Sequence, residues 1–131
     1  MTKTTIKYFT PEEANKTLPL VRKIVKDILT YSFELKTVSD SLDGNIENSR
    51  EAQYLVSSIK GFLEELEEIG CSYKDWNFSL GLVDFPALIE GKEVFLCWKS
   101  DEEKITHYHG INDGFRGRKL LPEYYLDPAE I

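Results

Sequence analysis

No apolar run in the chain approaches the roughly 18 residues that a membrane-crossing helix needs, so no membrane partner is expected. The opening stretch "MTKTTIKYFTPEE" has no apolar core of the kind a secretory leader carries, and the expected compartment is the cytoplasm. Cysteine is scarce. Cys71 and Cys97 are too few for a disulfide scaffold, and in a cytoplasm both are expected to remain thiols. Basic charge is scarce in both halves: residues 1–70 hold 9 Lys and Arg against 12 Asp and Glu, and residues 71–131 hold 7 against 11. A net charge of -7 leaves no basic face for phosphate neutralisation, so no nucleic-acid partner is expected, and the acidity serves solubility. There is no internal repeat, no low-complexity segment, no Walker loop and no Rossmann fingerprint, so nucleotide binding has no support.

What remains is an ordinary folded chain. Hydrophobic residues make up 41% and charged residues 30% of 131 positions, a balance that suits one domain with a real core rather than a disordered segment. Its character changes near Gly70: about residues 10–70 read as helices, about 71–131 as a β-rich unit, within one domain spanning 1–131.

The first helix has a clear start. Thr10 can cap it, Pro11 suits the first helical position, and Glu13 completes a capping box. Apolar and small residues then recur at steps of three and four from Ala14 to Leu42, and Ile24, Tyr31 and Val38 widen that stripe. The face is coiled-coil-like, and the helix would be roughly 48 Å long at 1.5 Å per residue. Pro19 removes one hydrogen bond, so a kink, or a short helix followed by a longer one, is expected there. "DGN" ends the helix, with Gly44 as its left-handed terminator. A second amphipathic helix, capped by Asn48 or Asn45, carries Ala52, Leu55, Ile59, Phe62, Leu66 and Ile69 on one stripe and stops at Gly70. A short turn between two such helices makes an antiparallel hairpin.

Past Gly70, "NFSLGLVDF" reads as a strand and "PALIEGKEVFLCWK" as a β-hairpin turning at Glu90, Gly91 and Lys92. Val94, Leu96 and Trp98 share one face; Phe95 and Cys97 share the other. "KITHYHG" supplies a further strand, with His107 and His109 on one face, and "NDGFRGRKLLPEYYLDPAEI" reads as an ordered loop and tail. The expected fold class is α+β: a long antiparallel helical hairpin packed on a small antiparallel β-meander.

Five stretches resemble a family of bacterial proteins designated domain of unknown function 2203, in the family's order and at compatible spacing. They are "FTPEEANKTLP" (9–19), "GCSYKD" (70–75), "GLVDFPAL" (81–88), "GKEVFLCW" (91–98), and His109 followed by "GFRGR" (114–118). The resemblance covers most of the chain. It implies the hairpin and the β unit and implies no activity. His107 stands where the family has an aromatic or variable residue, so the resemblance does not imply a fixed pairing of His107 with His109.

Five of the residues in those motifs carry chemistry: Asp84, Cys97, His109, Arg116 and Arg118. Asp84 lies amid apolar letters, either as a carboxylate that serves as base, metal ligand or orienter of His109, or as a local tie for the backbone near Pro86. Cys97 is a reactive thiol if a cation lies beside it, and a small buried hydrophobe otherwise. His107 and His109, with Asp84 or Cys97, could supply three ligands to zinc or another transition metal; otherwise His109 anchors its strand to Asp84. Arg116 and Arg118 could clamp a carboxylate or phosphate, with Gly114 and Gly117 admitting the ligand; otherwise Arg118 pairs with Asp84 or another carboxylate to fix the tail. A shared pocket between the β unit and the helices, or one buried polar network, would unite Asp84, Cys97, His109 and Arg118.

Three functions follow as expectations. The leading one is a non-catalytic module whose helical hairpin forms a homodimer or binds a partner helix, on the ground of the wide apolar face of the first helix. The second is a small-anion or enzymatic pocket built from Asp84, His109, Arg116 and Arg118 with Cys97 nearby. The third is a metal site on His107, His109 and Asp84.

Overall fold

The computed structural model describes residues 6–75 and 77–126. Two helices, α1 (Pro11–Ser41) and α2 (Arg50–Ile69), lead into five short strands: β1 (Ser72–Tyr73), β2 (Leu82–Ile89), β3 (Lys92–Lys99), β4 (His107–Gly110) and β5 (Lys119–Leu120). The strands form one antiparallel sheet in the order β1-β2-β3-β4-β5, a meander in which every neighbour in sequence is a neighbour in space. The class is α+β.

The capping box at the start of α1 is formed: the Glu13 amide donates to Thr10 Oγ1 at 3.1 Å, and the Thr10 amide donates to Glu13 Oε1 at 2.9 Å. Pro19 does not divide the helix, which runs unbroken to Ser41. A proline costs one helical hydrogen bond, and packing of Leu18, Val21, Ile24, Val25 and Ile28 into the core offsets it. Asp43 and Gly44 both take left-handed backbone after the helix. The cap of α2 is Ser49, whose hydroxyl accepts from the Ala52 amide at 3.1 Å, and not Asn48 or Asn45. Gly70 ends α2 with φ 112°.

The β half differs from the expected reading in three ways. The strand expected over 77–85 starts only at Leu82, because Asp75 collects the amides of Asn77, Ser79 and Leu80 into a loop. Pro86 lies inside β2 and does not end it. Its carbonyl faces away from β3, accepting from the Phe9 amide at 2.8 Å, so its missing N–H costs the β2–β3 ladder nothing. The stretch 111–126 carries structure too: a 3-10 turn at Phe115–Gly117, β5 and a second 3-10 turn at Glu123–Tyr125. The last five residues of the expected tail lie outside the described residues. The β2–β3 turn at Glu90 and Gly91 is as expected, both with positive φ.

Alternation divides the sheet into two faces. Val83, Phe85, Ala87 and Ile89 of β2 and Val94, Leu96 and Trp98 of β3 are buried and meet the first half of α1 in one core cluster. Gly81 lets α1 come this close, since a Cβ there would collide with Val25. Asn15 ties the helix down: its side chain takes the Ile105 amide at 2.8 Å and donates to the Ile105 carbonyl at 3.4 Å. Beyond Ile28, α1 has no buried residue; Leu29 still packs against the core, and the rest of the helix runs on beside α2. The opposite face of the sheet carries Asp84, Phe95, Cys97, His107 and His109.

Candidate functional site

On a sheet with helices on one side, the other side normally faces water. Here its centre does not. Asp84, Cys97 and His109 are 4%, 1% and 3% exposed, because the segment after β4 folds back over them. Asp84 stands beside Cys97 across the β2–β3 pair, and His109 lies one step along β4. Ligand atoms of the three residues all lie within 4.8 Å of one another. They form the floor of a cavity of about 300 Å³ walled by Leu82, Phe95, Ile111 and Phe115.

The roof has its own supports. Asp113 Oδ2 accepts from the Gly110 amide at 3.2 Å, and Gly117 presses against Asp113, where a Cβ would not fit. Gly117 therefore makes room for Asp113 and not for a ligand. Arg118 holds the far end. Its guanidinium donates to both oxygens of Glu102, at 3.0 and 2.8 Å, and to the Cys97 carbonyl at 3.0 Å. Glu102 also takes the Lys99 amide through Oε1 and the Trp98 indole through its carbonyl. Arg118 thus pairs with Glu102, and Asp84 is left to its own cluster.

The hydrogen bonds of His109 fix its tautomer. Nδ1 lies 2.8 Å from the Gly110 carbonyl, which only accepts, so Nδ1 carries a hydrogen. Nε2 lies 3.1 Å from both carboxylate oxygens of Asp84. A neutral imidazole would thus aim its lone pair at a carboxylate, and a proton or a cation must sit between them. Burial raises the Asp84 carboxyl above its ordinary value, against the opposing charges of His109 and Lys74. The Cys97 thiol is pushed up to about 12, by burial first and by Asp84 second, with Arg118 working the other way. In the metal-free protein the thiol is protonated and inert.

The remaining expected residues are placed elsewhere. His107 shares the sheet face, but its Nδ1 turns to the Thr106 hydroxyl at 2.9 Å and lies 3.9 Å from Glu102. Burial and the Arg118 charge lower its pKa. Arg116 is exposed in its 3-10 turn and does not line the cavity. The Asp84 carboxylate orients His109 rather than tying backbone near Pro86. The pocket lies on the sheet face away from the helices, not between the two units. Three contributors escaped the sequence reading: Glu102 and Asp113, which are ordinary turn acids in sequence, and Lys74, an exposed residue that lines the cavity with its ammonium 5.7 Å from the Phe95 ring centre.

Residues 7–121 match the family described as uncharacterized conserved protein (DUF2203), and the chain belongs to it. No curated protein and no solved structure matches the chain. Among the described residues no helix is long and apolar enough to cross a membrane.

Proposed function

We propose that this member of the family is a metal-binding protein whose site is Asp84, Cys97 and His109, with zinc or a similar divalent transition metal as the ion. The observation that carries the reading is the opposition of His109 Nε2 and the Asp84 carboxylate at 3.1 Å with Cys97 beside them, all buried. Two ligand atoms about 2 Å from a tetrahedral ion stand roughly 3.3 Å apart, so the imidazole and carboxylate are already near coordination spacing. One sulfur, one nitrogen and one oxygen form a donor set suited to zinc. The Nδ1–H bond to the Gly110 carbonyl is the outer-shell contact that orients a ligating histidine. Arg118, whose charge already draws the Cys97 thiol down, would stabilise a thiolate in the loaded site. Three protein ligands leave the fourth position to the cavity, as in zinc sites that exchange a ligand.

Untagged protein, dialysed against chelator and then given zinc, should take up one equivalent by native mass spectrometry. Cys97→Ser and His109→Gln should lose uptake while keeping the parent circular dichroism, and His107→Gln should keep it. Uptake that survives both ligand substitutions would sink the reading.

A second reading rests on the far end of the hairpin. Phe33 is 72% exposed there, next to a cavity of about 710 Å³ lined by Leu29, Leu35, Ile46, Val56 and Ile59. A knob and a hollow on one patch suit an isologous pair, so the occupant is a second copy of this chain. Sedimentation at tens of micromolar should give a dimer that Phe33→Ser dissociates; a parent protein that stays monomeric would remove this reading.

A further inference from the structure

The ion would not sit alone in its cavity, and the surrounding residues say what joins it. We infer that the fourth position takes a small monocarboxylate with a short aliphatic tail, its carboxylate shared between the metal and Lys74. This rests on the metal reading above and adds the class of ligand.

Charge comes first. A divalent ion on a carboxylate, a thiolate and a neutral imidazole is balanced, and Lys74 then leaves the cavity one positive charge in excess. Lys74 is the only cationic side chain lining the cavity among the described residues. It takes part in no salt bridge there and lies over the Phe95 ring, with its charge felt at Asp84. The two arginines that the sequence offered as an anion clamp do not compete: Arg118 is held by Glu102, and Arg116 is outside the lining. Without the ion the floor is a His109–Asp84 pair sharing a proton beside a protonated thiol, and it offers an incoming carboxylate no second cation to pair with Lys74. Binding is therefore ordered, metal before ligand.

Shape comes second. The walls are Leu82, Phe95, Ile111 and Phe115, with no hydroxyl or amide side chain to receive a sugar or a second polar group. A volume of about 300 Å³ is the lower end for ligand pockets, roughly ten water-sized groups. A carboxylate on about three to five carbons fits that space, whereas a nucleotide does not.

The test uses cobalt(II), whose visible bands report the fourth ligand. On cobalt-saturated protein, butyrate should shift the bands saturably. Butyramide should not shift them, and formate should bind at least tenfold more weakly because it lacks the tail. Lys74→Ala, also compared at cobalt saturation, should weaken butyrate at least tenfold. Bands that ignore butyrate, equal responses to formate and butyrate, or an unaffected Lys74→Ala would each overturn the inference while leaving the metal site standing. Failure to bind cobalt at all would overturn the metal reading and this inference with it.

Discussion

The two faces of the sheet use the same strands for opposite ends. On the inner face, Val83, Phe85, Ala87, Val94, Leu96 and Trp98 meet α1 and need only be apolar and of the right size. On the outer face, one residue over on each strand, Asp84, Cys97 and His109 are as deeply buried and are covered by a loop instead of a helix. Burial alone does not separate core from site. The difference is whether the buried groups satisfy one another. The apolar side chains of the inner face do so by packing alone, whereas His109 and Asp84 on the outer face need a proton or a cation between them.

That contrast can be broken most forcefully from the inside. Phe85→Ala removes a ring that meets Phe9 edge-on at 5.2 Å, and should cost about 3–5 kcal/mol in urea unfolding. At that cost the thermal midpoint should fall by more than about 10 °C. The roof comes next. Arg118→Ala deletes three charge-assisted hydrogen bonds and should cost about 2 kcal/mol, with Arg118→Lys recovering only part because it loses the two-pronged grip on Glu102. If Arg118→Ala left stability unchanged, the roof would not be held as described.

The site itself gives smaller effects with diagnostic signs. The Cys97 thiol stands at about 12 in the metal-free fold, so metal must displace its proton. Metal also displaces the proton shared by His109 and Asp84, so zinc affinity should rise by at least about tenfold, or 1.4 kcal/mol, for each pH unit below that value, and a weakly buffered titration should show acid release. A pH-independent affinity would rule out thiolate coordination. The last effect runs the other way. The folded Asp84 carboxyl is raised, so its protonated form contributes stability that is present below its ordinary value of 3.8 and lost as pH rises through the raised one. Asp84→Asn keeps the uncharged form at every pH. It should stabilise the metal-free protein at pH 8 by about 1 kcal/mol, an advantage that fades by pH 3. Destabilisation at pH 8 would mean that Asp84 serves the fold and not a ligand.

Much of the fold was legible because its signals are local. The capping box at Thr10 and Glu13, the stripe on α2, the stop at Gly70 and the Glu90–Gly91 turn each depend on a few adjacent residues, and each is realised. Pro86 misled because a proline's effect depends on which way its missing N–H would have pointed, and that is set by strands far off in sequence. That Asp84, Cys97 and His109 would lie together was open in the sequence, and where they would lie was not legible. Period-two alternation put Phe95 with Cys97 and His107 with His109, but only the β3–β4 register joins the two pairs on one face, and nothing local said that residues 111–118 would fold back over it. Nor could spacing show that Arg118 would turn to Glu102 and His107 to Thr106.

Pro86 has one more consequence, at the border of the sheet. Short β1 pairs only with Val83 and Asp84, and a longer open border on β2 would invite a strand from another molecule. The carbonyl of Leu82 is taken by the Lys74 amide and that of Pro86 by the Phe9 amide, and Pro86 has no N–H to offer. An incoming strand finds its hydrogen-bonding rhythm interrupted after a single step. The protein thereby carries its own guard against edge-to-edge aggregation, written into the same β2 segment that presents Asp84.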